Sequence, residues 1–128
     1  MSRRLWGLGL VVPLLILGAC GSDSSDHDDG GASSAANATH IKVTISDEGC
    51  SPAAIETKAG KTAFDVTNDG SSSVIEFYVY DGKKVEGEVE NVLPGSPKTL
   101  TLTLKEGAYT IKCPNGTKNE TGTLTVTA

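Results

Sequence analysis

From residue 41 onward, apolar and polar side chains alternate with a period of two. Ile41, Val43 and Ile45 alternate with Lys42 and Thr44, the pattern of a strand with one buried face. Ala53 to Thr57 predicts a second, short strand, ended at Ala59-Gly60. Thr62 to Thr67 puts Phe64 and Val66 on one face, and Asn68-Asp69-Gly70 turns the chain. The run Val74 to Tyr80 predicts a longer strand and Asp81-Gly82 a hairpin turn. Along Lys83 to Val92, Val85, Gly87 and Val89 alternate with Glu86, Glu88 and Glu90, and the Glu and Lys side chains there read as protection of a sheet edge. A loop at Pro94-Gly95-Ser96-Pro97 follows. Leu100, Leu102 and Leu104 then alternate with Thr, Glu106-Gly107 turns, and Tyr109, Ile111 and Cys113 share a face before Leu124 and Val126 close the chain. About eight strands at roughly ten-residue spacing, with no convincing period of 3.6, predict an all-β sandwich or barrel.

The N-terminus has a different pattern. Arg3 and Arg4 precede an apolar stretch from Leu5 to Leu17, broken only by Gly7, Gly9 and Pro13. This predicts a secretory signal segment over 1–19, too short and too rich in breakers for a comfortable membrane span. The exit, Leu17-Gly18-Ala19-Cys20, resembles the lipobox of bacterial lipoproteins, which implies cleavage before Cys20 and acylation of its thiol. Each buried CH₂ of an acyl chain contributes about 0.8 kcal/mol, so two or three chains hold a protein firmly on a membrane. Residues 20–38 carry almost no bulky apolar side chain after Cys20 and predict a flexible acidic stalk. His27 stands there among Asp23, Asp26, Asp28 and Asp29, with no rigid frame to fix them as ligands. The folded domain is expected over 39–128.

Composition narrows the function. The chain of 128 residues carries a net charge of −5, which argues against nucleic-acid binding, since that wants a basic face. Its two histidines, His27 and His40, lie in the stalk and at the entry of the first strand. No nucleophile, base and orienting group are set together, so an enzyme is not expected.

The phrase GAYTIKCP, from Gly107 to Pro114, followed by GTLTV from Gly122 to Val126, resembles the closing strands of cupredoxins. The resemblance implies a cupredoxin-like Greek-key β-sandwich. A type-1 blue-copper site needs two His, a Cys thiolate and usually an axial Met. The loop Pro114 to Glu120 holds neither His nor Met, and Glu76 stands where the first copper His would be; such a centre is not expected. The set DEGCSP (Asp47 to Pro52), VIEFYVYDG (Val74 to Gly82), EVENVLPG (Glu88 to Gly95) and IKCPNGT (Ile111 to Thr117) resembles more narrowly the cupredoxin-like domain of EfeO, the periplasmic component of EfeUOB-type iron uptake. That resemblance implies an extracytoplasmic lipoprotein binding a transition-metal ion, iron or copper, with an iron permease or a haem peroxidase as partner. It also implies that Cys50, Glu76 and Cys113 belong to the metal site. Many members carry a second, helical peptidase-like domain; with the chain ending at Ala128, a stand-alone domain is expected.

Two readings of the remaining thiols stay open. In an oxidising compartment an even pair reads as a disulfide, and a Cys50–Cys113 bridge would close a loop long enough to stabilise by about 4 kcal/mol in the chain-entropy model. Alternatively two thiolates and the Glu76 carboxylate bind a borderline or soft cation, with Asp47 or Glu48 adding an oxygen for a harder one. The two states exclude each other at any instant and can alternate with redox state. The first reading gives a disulfide-stapled, metal-free interaction module at the membrane, the second an ion carrier.

Overall fold

The computed structural model of the chain describes residues 37–128. The expected signal segment, the expected lipidation site at Cys20 and the expected stalk with His27 lie outside the described residues, apart from the last two positions of the stalk. Nine strands are present among the described residues: β1 (Thr39–Ser46), β2 (Gly49–Ser51), β3 (Ala54–Lys58), β4 (Gly60–Asn68), β5 (Phe77–Asp81), β6 (Lys84–Val89), β7 (Lys98–Leu104), β8 (Gly107–Lys112) and β9 (Thr121–Thr127). They form a four-stranded sheet in the order β2-β1-β4-β7 and a five-stranded sheet in the order β3-β9-β8-β5-β6. The parallel pairs β1–β4 and β3–β9 join strands far apart in the chain; the other pairings are antiparallel. No helix among the described residues is long and apolar enough to cross a membrane.

The alternation read from the sequence fills the space between the sheets. Val43, Ile45, Phe64 and Val66 from one sheet meet Phe77, Val79, Ile111, Leu124 and Val126 from the other, all buried. Phe64 and Phe77 touch across the gap with ring centroids 5.5 Å apart. Burying each such side chain is worth about 1.5–3 kcal/mol, which is what holds the sheets face to face. Tyr109 ties the turn before β8: its hydroxyl donates to the Lys105 carbonyl at 3.0 Å. β6, with its Glu and Lys side chains, does lie at a sheet edge.

Two expectations need correction. Cys50, between the first two strands expected from the sequence, sits in a strand of its own, β2, paired with Ile45 of β1. A three-residue strand is too short to show alternation, and only its tight hairpin partner reveals it. The run Val74 to Tyr80 is not one strand. β5 begins at Phe77, and Val74 is buried in the preceding loop, where its N–H donates to the Ser71 hydroxyl at 2.8 Å. Burial, not strand pairing, explains that part of the apolar run.

Candidate functional site

Strand directions carry both cysteines to one end of the sandwich. β1 rises to the hairpin at Asp47-Glu48, β2 starts back down with Cys50, and β8 rises to Cys113. There the two sulfurs are joined as a disulfide, with Cα atoms 5.4 Å apart and a sequence separation of 63. Both cysteines are essentially fully buried.

The loop after Cys113 is clamped to the β1–β2 hairpin by backbone hydrogen bonds. Thr117 N–H donates to the Asp47 carbonyl (2.9 Å), Lys118 and Asn119 N–H to the Glu48 carbonyl (3.2 and 2.6 Å) and Cys50 N–H to the Asn119 carbonyl (2.9 Å), while Cys113 N–H closes the loop itself on the Glu120 carbonyl (2.8 Å). Lys118 Nζ adds an ion pair with Glu48 at 2.8 Å. The approach is close enough to require glycine. A Cβ on Gly49, whose φ is +108°, would lie 2.3 Å from the Asn119 backbone, and one on Gly116 would lie 2.6 Å from Gly49 Cα.

Asn68 knits the other side of the same pole. Its amide nitrogen lies within hydrogen-bond distance of the carbonyls of Ser71 (2.9 Å), Val74 (3.3 Å) and Val92 (2.7 Å), and its side-chain oxygen accepts from Ser71 N–H at 2.8 Å. The Ser71 hydroxyl donates to the Asp47 carboxylate. Three loops are thereby held by one short polar network. Asn68 reads in the sequence only as the first residue of an Asn-Asp-Gly turn, and nothing there signals its part as a hub.

The residues expected as metal ligands divide between two places. Cys50 and Cys113 come together, but as a bridge, and a disulfide sulfur is a poor ligand. Asp47 is on the β1–β2 hairpin and its carboxylate is engaged by Ser71. Glu76 faces the opposite side of the five-stranded sheet from the bridge. Alternation along β5 buries Phe77 and Val79 and turns Tyr78 and Tyr80 outward, and Glu76, one residue before the strand, is held with them because Tyr78 Oη donates to Glu76 Oε2 at 3.1 Å. Among the described residues no group of three or more His, Cys, Asp and Glu side chains is placed to hold a metal ion. The expected set of Cys50, Glu76, Cys113 and Asp47 is therefore not assembled in this disulfide form, because one ligand points through the wrong face and two are bonded to each other. His40, toward the other end of β1, is hydrogen-bonded to Asp65 at 2.7 Å.

The outer face around Glu76 has its own character. Tyr78 and Tyr80 have ring centroids 5.9 Å apart, and Lys112 Nζ sits over the Tyr80 ring, 4.9 Å from its centroid. Register places Tyr78 between Glu88 of β6 and Lys112 of β8. Partial desolvation, the hydrogen bond to Glu76, and the negative charges of Glu76, Glu88 and Glu90 push the Tyr78 phenol up from 10.0 to about 12.

These features define an all-β sandwich domain, and comparison with known proteins identifies the class. The family model described as a cupredoxin-like domain matches residues 10–126, and the chain belongs to that family. Solved structures share the fold: auracyanin B (TM-score 0.59, 15% identity, covering 71% of this chain and 90% of that one) and the metal-binding domain of the Streptococcus pneumoniae D39 Cu(I)-exporting ATPase CopA with Cu(I) (TM-score 0.54, 18% identity, 70% and 85%). Within the family, the chain is similar to iron uptake system component EfeO: 36% identical over 93 residues to that of Yersinia pestis (73% of this chain, 24% of the relative), and 37% over 79 residues to that of Escherichia coli strain K12 (62% and 21%). The chain spans about a quarter of the length of the curated relatives it matches.

Proposed function

We propose that this chain is an extracytoplasmic, lipid-anchored component of an EfeUOB-like metal-uptake system, a binding protein and not an enzyme, whose cargo is a transition-metal ion, iron or copper. The observation that carries the reading is the 36% identity with EfeO over 73% of the chain. An iron permease or a haem peroxidase is its partner in this reading. The anchor is the acylated Cys20, held to the domain by the acidic stalk. Ligation of the ion by Cys50 and Cys113 belongs to a reduced form, reached by two electrons and two protons from a thiol donor; Asp47, on the same hairpin as Cys50, is the nearby carboxylate, and Glu76 joins only if the start of β5 rearranges.

A second reading has a specific observation in its favour. The bridge is buried between the sheets, where neither a reductant nor an ion reaches it without the clamped loops opening. It fits a structural staple in a metal-free interaction module at the membrane. One experiment separates the two. Fe(II), Fe(III), Cu(I), Cu(II) and Zn(II) are titrated calorimetrically into the oxidised chain, the reduced chain and the Cys50→Ser/Cys113→Ser variant. Binding by the reduced chain at least about tenfold tighter than by the variant, a difference of about 1.4 kcal/mol, supports the thiolate carrier. Equal behaviour in all three leaves the stapled module.

A further inference from the structure

The outer face of β5, β6 and β8 is unlike the rest of the domain surface. The neighbouring outward positions on β9 are threonines, Thr121, Thr123, Thr125 and Thr127, as expected of a plain solvated face. On β5 and β6 the outward positions are instead Tyr78 and Tyr80, with Val85 directly opposite Tyr80 and 42% exposed. Glu76, Glu88 and Glu90 surround the tyrosines. Among the described residues, Glu76 is hydrogen-bonded to the Tyr78 hydroxyl, and neither Glu88 nor Glu90 has a salt-bridge partner. The one lysine beside Glu90, Lys98, donates to its backbone carbonyl. The face already shows the chemistry it favours, because a cation lying on it, Lys112, is stacked on Tyr80.

We infer that this face is a docking surface for the basic, Lys- and Arg-bearing surface of a partner protein. Two features fit that occupant. Exposed aromatic rings take guanidinium groups through cation–π contacts, and carboxylates at the rim complement the charge and steer association. Glu76, Glu88 and Glu90 also act on the Tyr78 phenol, adding to the upward push of its desolvation and of its hydrogen bond to Glu76. The surface is on the opposite side of the five-stranded sheet from the Cys50–Cys113 bridge, so docking there and any chemistry at the bridge are independent.

The test uses the full chain and a fluorescein-labelled deca-arginine peptide, with affinity read by fluorescence anisotropy at about 20 mM and about 150 mM NaCl. Three chains are compared: wild type, Glu88→Gln/Glu90→Gln, and the charge-matched control Glu48→Gln/Glu120→Gln, which removes carboxylates at the bridge pole. A Tyr80→Ala variant reports the aromatic part. The expected result is a loss of about fivefold or more for the first variant and about threefold for Tyr80→Ala, with less than about twofold for the control. Amide shift changes on titration should centre on Tyr78, Tyr80 and Val85. Equal losses in patch and control variants would mean that only net charge matters, and would overturn the proposal. So would an N-acetylglucosamine oligomer that binds wild type and Glu88→Gln/Glu90→Gln alike and shifts the same amides, since the face would then hold a glycan.

Discussion

The pole that holds the Cys50–Cys113 bridge and the outer face of β5 and β6 are close together, and both were drawn on for one expected metal site. They are built on opposite principles. At the pole, backbone groups are saturated, two cysteines are buried and glycines let the hairpin and the Cys113 loop touch. On the outer face, the side chains are long, charged or aromatic, and half-exposed. A single residue separates the two: Phe77 points inward and Glu76 outward. Glu76 stands one residue before β5, and in extended backbone a step of one residue is enough to carry a side chain to the other side of a sheet, so a neighbour buried in the core says nothing about where the carboxylate faces.

The comparison makes the pole the source of stability. The largest expected effect comes from the bridge. Replacing both cysteines by serine reopens a loop spanning 63 positions, and chain entropy puts the loss at about 4 kcal/mol. For a domain of this size that lowers Tm by at least about 15 °C, readable by circular dichroism. A variant that melts within about 5 °C of wild type would mean that the staple is dispensable and the sulfurs are kept for something else. Next comes Asn68→Ala. It leaves the Ser71, Val74 and Val92 carbonyls without their amide donor, and a part-buried acceptor set left unpaired is expected to cost about 2–3 kcal/mol by urea denaturation. A loss below about 0.5 kcal/mol would show that water replaces the amide freely and that the pole is looser than its hydrogen bonds suggest.

Much of the fold was legible because alternation is imposed by burial. Ile41 to Ile45, Leu100 to Leu104 and Leu124 to Val126 announce their inward faces directly, and the GAYTIKCP phrase carried the family. The correction at Val74 has a physical cause. A buried loop residue and a buried strand residue look alike in hydropathy, and the difference lies in where the backbone N–H goes, here to the Ser71 hydroxyl. The site was half legible. Cysteine parity in an oxidising compartment pointed to the bridge. The resemblance pointed to Cys50, Glu76 and Cys113 together, and it was the one-residue parity at Glu76 that separated them. Asn68 was out of reach, because one amide serving three loops depends on long-range folding that no local pattern records.

Farther down both pole and fold, the His40–Asp65 pair offers a smaller test on the exposed side of the four-stranded sheet. The hydrogen bond from His40 is the main cause holding the Asp65 carboxyl below its ordinary 3.8; partial desolvation opposes it, and Thr99 and Lys42 assist it. A carboxyl depressed in the folded state stabilises above its unfolded pKa, and that contribution is lost as pH falls through the folded value. Both groups are substantially exposed, so Asp65→Asn is expected to cost less than about 1 kcal/mol at neutral pH. The gap to wild type should close in acid, as urea melts at about pH 7 and about pH 2.5 would show. A gap of the same size at both would place the effect in packing and not in charge.

Glu76→Gln is expected to change stability least and to be the most informative about the outer face. If Glu76 belongs with the tyrosines, the substitution removes the largest of the three negative charges acting on the Tyr78 phenol and weakens the acceptor of its hydrogen bond. The phenol, pushed up to about 12, should then titrate nearer 10.0, followed by absorbance of tyrosinate, while Tm at neutral pH stays within about 2 °C of wild type. The sign follows from linkage. A raised phenol favours the folded state below its unfolded pKa and loses that advantage as pH rises through the folded value, so the small gap between wild type and variant is present at neutrality, kept small because Tyr78 is only half-buried, and closes in alkali. A large loss of Tm at neutral pH with the phenol unmoved would instead put Glu76 in the structural network of the pole, and the division between the two regions would fail at the residue on which it depends.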